Sequence, residues 1–424
     1  MKNIIQTVKG TREFYPEEMA LRKWLYGKIS QVSQSFGYQE YDGPFLESIE
    51  LYAAKSGEEL VKEQSFVFPD RGGNLITLRP ELTPSLARMV AQRQNQLVYP
   101  LRWWSFGPFW RYEKPQKGRT REFFQWNIDL IGVDSPEGDA ELVAIAAEFF
   151  KAVGLTPSEV KILVNDRRLM DNRISNLGIE KVEDKKKMLG IIDRRDKLSE
   201  KDWEDYVVES GYTTAQLTGL KELLKNKELY KTSATMMRFF DALKALGVEQ
   251  YVSYDPRVVR GLDYYTGIVF EARDAGESSR AILGGGRYDN LVGEVGGEPL
   301  SGIGFAMGDV VMPLILEQFG KLPALSLNPA KVLVTVFDAE CQAYSLAIAS
   351  ELRKAGINVN TYPEAAKIGK QFKYADRVGA RYVIVAGPDE RDQKIMQVKD
   401  MQSGEQSSVQ VNEAVGVLQK MIKE

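Results

Sequence analysis

Phe109-Trp110-Arg111-Tyr112-Glu113 and Phe123-Phe124-Gln125-Trp126-Asn127-Ile128-Asp129 flank a loop, Lys114 to Arg121, that is crowded with Lys114, Lys117, Arg119 and Arg121. The two aromatic-rich runs, 101–113 and 122–133, read as an antiparallel pair of strands. Side chains repeat every two residues along a strand, so Arg111, Glu113, Phe123, Gln125 and Asp129 fall on one face. That face would offer a cation, two carboxylates, an amide and an aromatic ring. Taken alone it could equally be the solvated side of an antiparallel sheet. Its pairing with two other stretches shifts the balance toward a site.

The first of these is Arg260-Gly261-Leu262-Asp263-Tyr264-Tyr265-Thr266-Gly267-Ile268-Val269-Phe270-Glu271, followed by Gly284-Gly285-Gly286-Arg287-Tyr288-Asp289. It combines paired tyrosines, fixed cations and glycines whose backbone a ligand can approach closely, which is what a small polar ligand requires. The second is Arg79-Pro80-Glu81-Leu82-Thr83.

Apolar spacing places a helix over 17–36, a hairpin at 65–68 and 75–78 around Pro69 to Asn74, and helices from Thr83 to about Asn95 and over 137–153. Val160 to Val164 reads as a buried strand. From 166 to 250 the texture becomes charged and helical, as an insertion would. The strand pattern resumes at 251 and ends at a helix over 311–319, entered from the glycine-rich Ser301 to Gly308. After a linker at 320–330, strands and helices alternate as βαβαβ with two more strands and a last helix, a separate small α/β domain. The expected division is 1–165 and 251–322 for a core, 166–250 for the insertion and 331–424 for the final domain.

The 424 residues allow two or three domains, and a net charge of −3 gives no global attraction for nucleic acid, so such a partner must meet local basic patches. A single cysteine, Cys341, excludes an intramolecular disulfide and a cysteine-built metal cluster. With no apolar run of bilayer length, no membrane partner is expected and the cytosol is the default compartment. The chain contains no histidine, which removes the commonest general base and metal ligand. Its chemistry falls to Arg, Lys, carboxylates, Tyr and bound metal ions.

Over nearly its whole length the chain resembles the class II aminoacyl-tRNA synthetases, and within them the histidine-specific family. Lys9-Gly10-Thr11-Arg12-Glu13-Phe14-Tyr15-Pro16 and Phe36 to Gly57 resemble the N-terminus and the dimer-forming first motif. Thr77-Leu78-Arg79-Pro80-Glu81 with Thr83 resembles the amino-acid-binding loop, and Phe109 to Gly132 the second motif. Arg260 to Tyr265 and Gly284 to Asp289 resemble the two histidine-specific signatures, and Lys367 to Asp376 is similar to the anticodon-binding domain. The resemblance implies a mixed α/β fold: a catalytic antiparallel sheet flanked by helices, a helical insertion and a C-terminal α/β anticodon-binding domain.

It also implies an enzyme that joins L-histidine to ATP as an adenylate and then to tRNA(His), working as a homodimer. Arg260 and Arg111 would meet the α-phosphate, Arg119 and Arg121 the outer phosphates with Mg²⁺, Phe123 the adenine ring and Glu113 its amino group. A neutral imidazole has one donor and one acceptor nitrogen, which suits Asp129 and Tyr265, with Tyr264 and Tyr288 as walls. Glu81, Thr83 and Gln125 suit the ammonium group. Gln116 and Lys117 are the tRNA contacts expected in the basic loop, and Lys367, Lys370, Gln371 and Tyr374 the candidates at the anticodon. The sequence departs from the family in three places: Val311 stands where the third motif carries an arginine, Phe124 where bacterial relatives often place a histidine, and Asp129 where a glutamate is common. Such departures keep a second reading in view, a catalytically silent, synthetase-like regulatory subunit of ATP phosphoribosyltransferase. Paralogues of that kind are expected to lack the Arg260 signature and the anticodon domain, both present here.

Overall fold

The computed structural model describes residues 4–53, 64–114, 118–259, 265–276 and 281–423. The chain divides into two compact units, Met1–Pro323 and Ala324–Glu424.

The first unit opens with helix α1 (Pro16–Ser35), started by a proline in its first turn with Glu17 and Glu18 beside it, and it buries Leu25, Ile29 and Val32. Strands β1 (Gln39–Glu40) and β2 (Leu46–Ser48) follow, then the hairpin β3 (Phe66–Pro69) and β4 (Leu75–Leu78), closed where Asp70 N–H donates to the Asn74 carbonyl at 2.9 Å. Helix α2 (Thr83–Arg93) leads to β5 (Leu101–Trp110) and β6 (Glu122–Ile131). Helix α3 (Pro136–Ala152) is capped by the Ser135 hydroxyl, which accepts from Gly138 N–H at 3.2 Å. After β7 (Val160–Asp166) come helices α4 (Arg167–Ser175), α5 (Val182–Asp193), α6 (Glu200–Glu209), α7 (Thr214–Lys225) and α8 (Ala234–Ala245). The chain then returns through β8 (Val252–Tyr254), β9 (Ile268–Asp274), β10 (Leu283–Tyr288), β11 (Gly302–Gly308) and helix α9 (Val311–Gln318).

The main sheet has the order β1-β5-β6-β11-β10-β9-β7-β8, antiparallel except for the pairs β1/β5 and β7/β8 at its two edges. Trp104, Trp126, Ile128 and Phe305 point to one side of it, where they pack with Leu142, Ile145 and Phe149 of α3. The opposite side is therefore left to carry Gln125, Asn127 and Asp129 of β6 and Tyr288 of β10, with the glycines of β11 between them. A smaller sheet, β2-β4-β3, leaves Leu46 and Leu75 about half exposed (51% and 54%).

In the second unit β12 (Val332–Val334), α10 (Gln342–Lys354), β13 (Val359–Thr361), α11 (Ile368–Val378), β14 (Tyr382–Val385), β15 (Ile395–Asp400), β16 (Gln406–Gln410) and α12 (Ala414–Lys423) build a sheet ordered β13-β12-β14-β15-β16. Gln371 is a correction to the sequence reading. It is fully buried, its amide donates to the Val336 and Ala366 carbonyls at 2.7 Å, and its oxygen accepts from Val336 N–H at 2.9 Å. It fastens α11 to the chain beyond β12 and has no free face for a base, whereas Lys367, Lys370 and Tyr374 are exposed.

Arg287, in the glycine-rich signature, proves to be a core cation. Its guanidinium is 2% exposed, donates to both oxygens of the equally buried Asp139 at 2.5 and 3.2 Å, and donates to the Val133 and Ser135 carbonyls. Removing one partner of a buried pair strands the other charge without water. Arg287→Met should therefore lower the unfolding free energy by roughly 3–5 kcal/mol in urea titrations. A loss below about 1 kcal/mol would show that Asp139 is satisfied without it.

Candidate functional site

The polar side of the sheet is shaped by missing side chains. Gly304 of β11 pairs with Asp129 of β6, and Gly302 with Tyr288 of β10. A Cβ on Gly304 would stand 2.1 Å from an Asp129 carboxylate oxygen, and one on Gly302 would stand 2.4 Å from the Tyr288 ring. The bare strand lets Tyr288 reach across it, and its hydroxyl donates to Asp129 at 2.8 Å. Gly286 plays the same part for Tyr265, whose ring would lie 2.8 Å from an added Cβ. Tyr265 is itself buried, packed with Val258 and Val269. Thr266, directly after it, donates its hydroxyl to Asp289 at 2.6 Å, and Asp289 also accepts from Ser301 and Arg168.

Asp129 is 5% exposed, and burial pushes its carboxyl from 3.8 up to about 7, with the Tyr288 hydrogen bond pulling the other way. Its cross-strand neighbour Trp103 packs on Tyr41, ring centroids 5.4 Å apart. The Tyr41 hydroxyl is buried without a hydrogen-bond partner and is held well above its usual pKa, chiefly by burial and then by the charges of Asp129 and Asp42. Sequence reasoning passed over Tyr41, which sits in a short extended run with no local pattern to mark it.

The cationic loop joins β5 to β6 at the end of their ladder, beyond the Trp110–Glu122 pair. Strand β5 stops at Trp110, and although Arg111 N–H still donates to the Arg121 carbonyl at 2.9 Å, Glu113 leaves the ladder rather than continuing the expected face. The cause is a tight turn in which Glu113 N–H donates to the Arg111 carbonyl at 2.7 Å. Arg111 stays on the face: its Nε donates to the Pro80 carbonyl at 2.9 Å, and its guanidinium lies 5.4 Å from the Phe123 ring centroid. Phe123 is stacked on Phe109 with centroids 6.0 Å apart. Arg119 donates to the Glu113 carboxylate at 3.1 Å, and Arg121 covers the Tyr112 ring at 4.0 Å while its Nε donates to the Glu113 carbonyl.

Arg79, read from sequence as part of a binding loop, is fully buried, donating to Pro108 and Gly43 carbonyls and to Asp42. It anchors the turn from which Glu81 and Thr83, the first residue of α2, emerge; Glu81 is 8% exposed. Gln125 is half-buried, with Gly107 and Gly308 as its cross-strand neighbours. Arg260, Tyr264, Gln116 and Lys117 lie outside the described residues. Val311 begins α9 and packs against the main core. Among the described residues no group of three or more acidic or cysteine side chains is placed to hold a metal ion, and no helix is long and apolar enough to cross a membrane.

The family pattern described as histidyl-tRNA synthetase matches residues 10–309. The chain belongs to the histidyl-tRNA synthetase family. A second pattern, an anticodon-binding domain, matches residues 331–421. The histidine–tRNA ligase of Leptospira biflexa is 35% identical over 432 residues, covering 99% of this chain and 98% of the relative. That of Pyrococcus horikoshii is 36% identical over 438 residues, covering 99% and 100%. Among solved structures, histidyl-tRNA synthetase from Nostoc superposes with a TM-score of 0.83 at 26% identity, over 99% of this chain and all of that one. A Bacillus halodurans protein titled as an ATP phosphoribosyltransferase regulatory subunit/histidyl-tRNA synthetase gives a TM-score of 0.72 over 88% of this chain and 97% of that one; at 21% identity it shares the fold alone.

The raised pKa of Asp129 has a measurable consequence for this family member. The folded chain keeps a proton that the unfolded chain releases above pH 3.8, so stability falls as pH rises from about 4 to about 7 and levels off beyond. Asp129→Asn has no such proton to lose. Its melting temperature should rise relative to the parent across that window, by a free energy of at most roughly 4 kcal/mol. Parallel pH profiles for the two proteins would sink this reading of Asp129.

Proposed function

We propose that the chain activates L-histidine with ATP, releasing pyrophosphate, and then passes the histidyl group to the 3′ end of tRNA(His). The observation that supports it is the meeting, on one side of one sheet, of a buried carboxylate–phenol couple at Asp129 and Tyr288 with an arginine loop at Arg111, Arg119 and Arg121. A pocket for a small heteroaromatic amino acid then adjoins a pocket for phosphates.

In the activation step a histidine carboxylate oxygen attacks the α-phosphorus, and negative charge grows on the oxygens around it. Cations held in place beforehand stabilise that charge without reorganisation. Arg111, fixed by the Pro80 carbonyl, takes this role together with Arg260, while Arg119 and Arg121 hold the outer phosphates. Mg²⁺ enters with the nucleotide as part of the substrate, since phosphate oxygens suit a hard cation. Phe123 stacks on adenine and Glu113 reads its amino group. The imidazole N–H donates to Asp129 and its other nitrogen accepts from Tyr265, with Tyr264 and Tyr288 as walls. Glu81, Thr83 and Gln125 hold the ammonium group. No step uses a histidine side chain, in keeping with a chain that has none.

Gln116 and Lys117 meet the acceptor end of tRNA, and residues 331–424 meet the anticodon, through Lys367, Lys370 and Tyr374. The match of residues 331–421 to an anticodon-binding domain favours the ligase over a regulatory subunit, which has no use for an anticodon. The enzyme works as a homodimer, for which the exposed Phe45, Leu46 and Leu75 offer apolar surface. Purified protein should catalyse histidine-dependent exchange of pyrophosphate into ATP. Arg111→Ala and Arg260→Ala should each lower that exchange by roughly a hundredfold or more with the fold retained. A folded wild-type protein with no exchange would refute the ligase and favour the sensor.

A further inference from the structure

The first described residues form neither helix nor strand, yet they are tied to Arg121, Glu122 and Asp309. Arg12 donates through one nitrogen to both carboxylate oxygens of Asp309, at 2.9 and 3.0 Å, across 297 residues of sequence. Asp309 directly follows the glycine-rich strand and is 5% exposed. It is also knitted to β6, since its carboxylate accepts from Phe124 N–H at 2.9 Å and its own N–H donates to the Phe124 carbonyl at 2.8 Å. The Arg12 guanidinium lies over the Phe14 ring at 4.8 Å, and Arg22 of α1 lies over both Phe14 and Phe124. Charge-assisted bonds to a carboxylate with so little water around it are among the stronger single contacts a surface segment can make.

What this anchor holds is the backbone of Lys9 and Gly10. The Gly10 carbonyl accepts from Arg121 N–H at 2.8 Å and Glu122 N–H at 3.3 Å, and the Lys9 carbonyl accepts from the Arg121 guanidinium at 3.3 Å. Gly10 has φ +90°, and a Cβ there would stand 2.7 Å from Arg121 Cγ, so the strap is moulded to that side chain. The Arg121 side chain also meets the Tyr112 ring and the Glu113 carbonyl, and its own carbonyl accepts from Arg111 N–H at 2.9 Å. Its orientation thus depends on carbonyls that Arg12 keeps in position.

We infer that Arg12 and Asp309 form a latch whose purpose is to position Arg121, and with it the phosphate-binding loop, for the nucleotide. This rests on the reading of that loop as the ATP site. In this chain the third motif contributes Val311, packed into the core, where the family's arginine would supply a further cation. The loop arginines must then be placed by other means, and the strap supplies them with fixed acceptors. Arg12 is a positioning residue and touches no substrate.

The test is pyrophosphate exchange by full-length Arg12→Met and Arg12→Lys, with melting curves recorded alongside. Arg12→Met keeps the length of the side chain and removes its charge. Its KM for ATP should rise about tenfold, the scale expected when a catalytic group drifts by a fraction of an ångström, while its KM for histidine changes less than twofold. Arg12→Lys, which keeps the charge but cannot offer the guanidinium's directed donors, should fall between. An unchanged KM for ATP in folded Arg12→Met overturns the latch. So does an equal rise in both KM values with a lowered melting temperature, which is what a merely structural pair would give. Absence of exchange in the wild-type protein would instead overturn the reading of the site, and the latch with it.

Discussion

One phenol bonded to one buried carboxylate, across the bare face of a glycine-rich strand, is the contact around which the candidate site is built. Asp129 and Tyr288 belong to strands that are not neighbours; β11 runs between them. They meet because Gly302 and Gly304 leave the pleat empty on that side, and any larger residue at 304 would overlap the carboxylate. The bond satisfies a carboxyl group that burial would otherwise make costly, and it fixes the distance between the acid on β6 and the ring on β10.

A strand so rich in glycine is a poor strand by itself, since glycine loses more backbone freedom than other residues and contributes no packing. Here it is held from both sides by ladders to β6 and β10, and from behind by Phe305, which meets Trp126 and Phe270 edge-on. The Arg287–Asp139 pair ties β10 to the start of α3. The other side can do without side chains of its own because the core side is dense. Rigidity at Asp129 thus comes from tryptophan, phenylalanine and an ion pair on the other side of the sheet.

Much of this arrangement was legible in the sequence, and the limits have a physical cause. Periodicity located α1, α2, α3, the β3/β4 hairpin, the β5/β6 pair and the alternation of the second unit, because each depends on spacing within a few residues. It put Gln125 and Asp129 on one face for the same reason. It failed where a residue's role is set by a distant partner. Gln371 has the sequence context of an exposed helix face and is buried, because the carbonyls it satisfies belong to another element. Arg79 and Arg287 look like ligand-binding cations and are structural ones, each neutralised by a carboxylate that no local pattern links to it. The turn at Glu113 ends the β5 face two residues earlier than alternation implies, and Tyr41 gave no signal at all.

Seen together, the cations divide by what holds them. Arg79 and Arg287 are fixed by burial and carboxylates, and they shape the sheet. Arg111 and Arg121 are fixed mainly by backbone carbonyls, at Pro80, Glu113 and Lys9, which orient a guanidinium without cancelling its charge. That difference matters for chemistry on a polyphosphate, where a cation already paired to a carboxylate has little left to offer. Arg119 is the exception in the loop: it rests on Glu113 and is 56% exposed, and a surface pair of this kind is worth little enough for a phosphate to displace it. On the proposed reading of this loop as the nucleotide site, it holds two arginines ready on backbone carbonyls and one, itself exposed, on the Glu113 carboxylate.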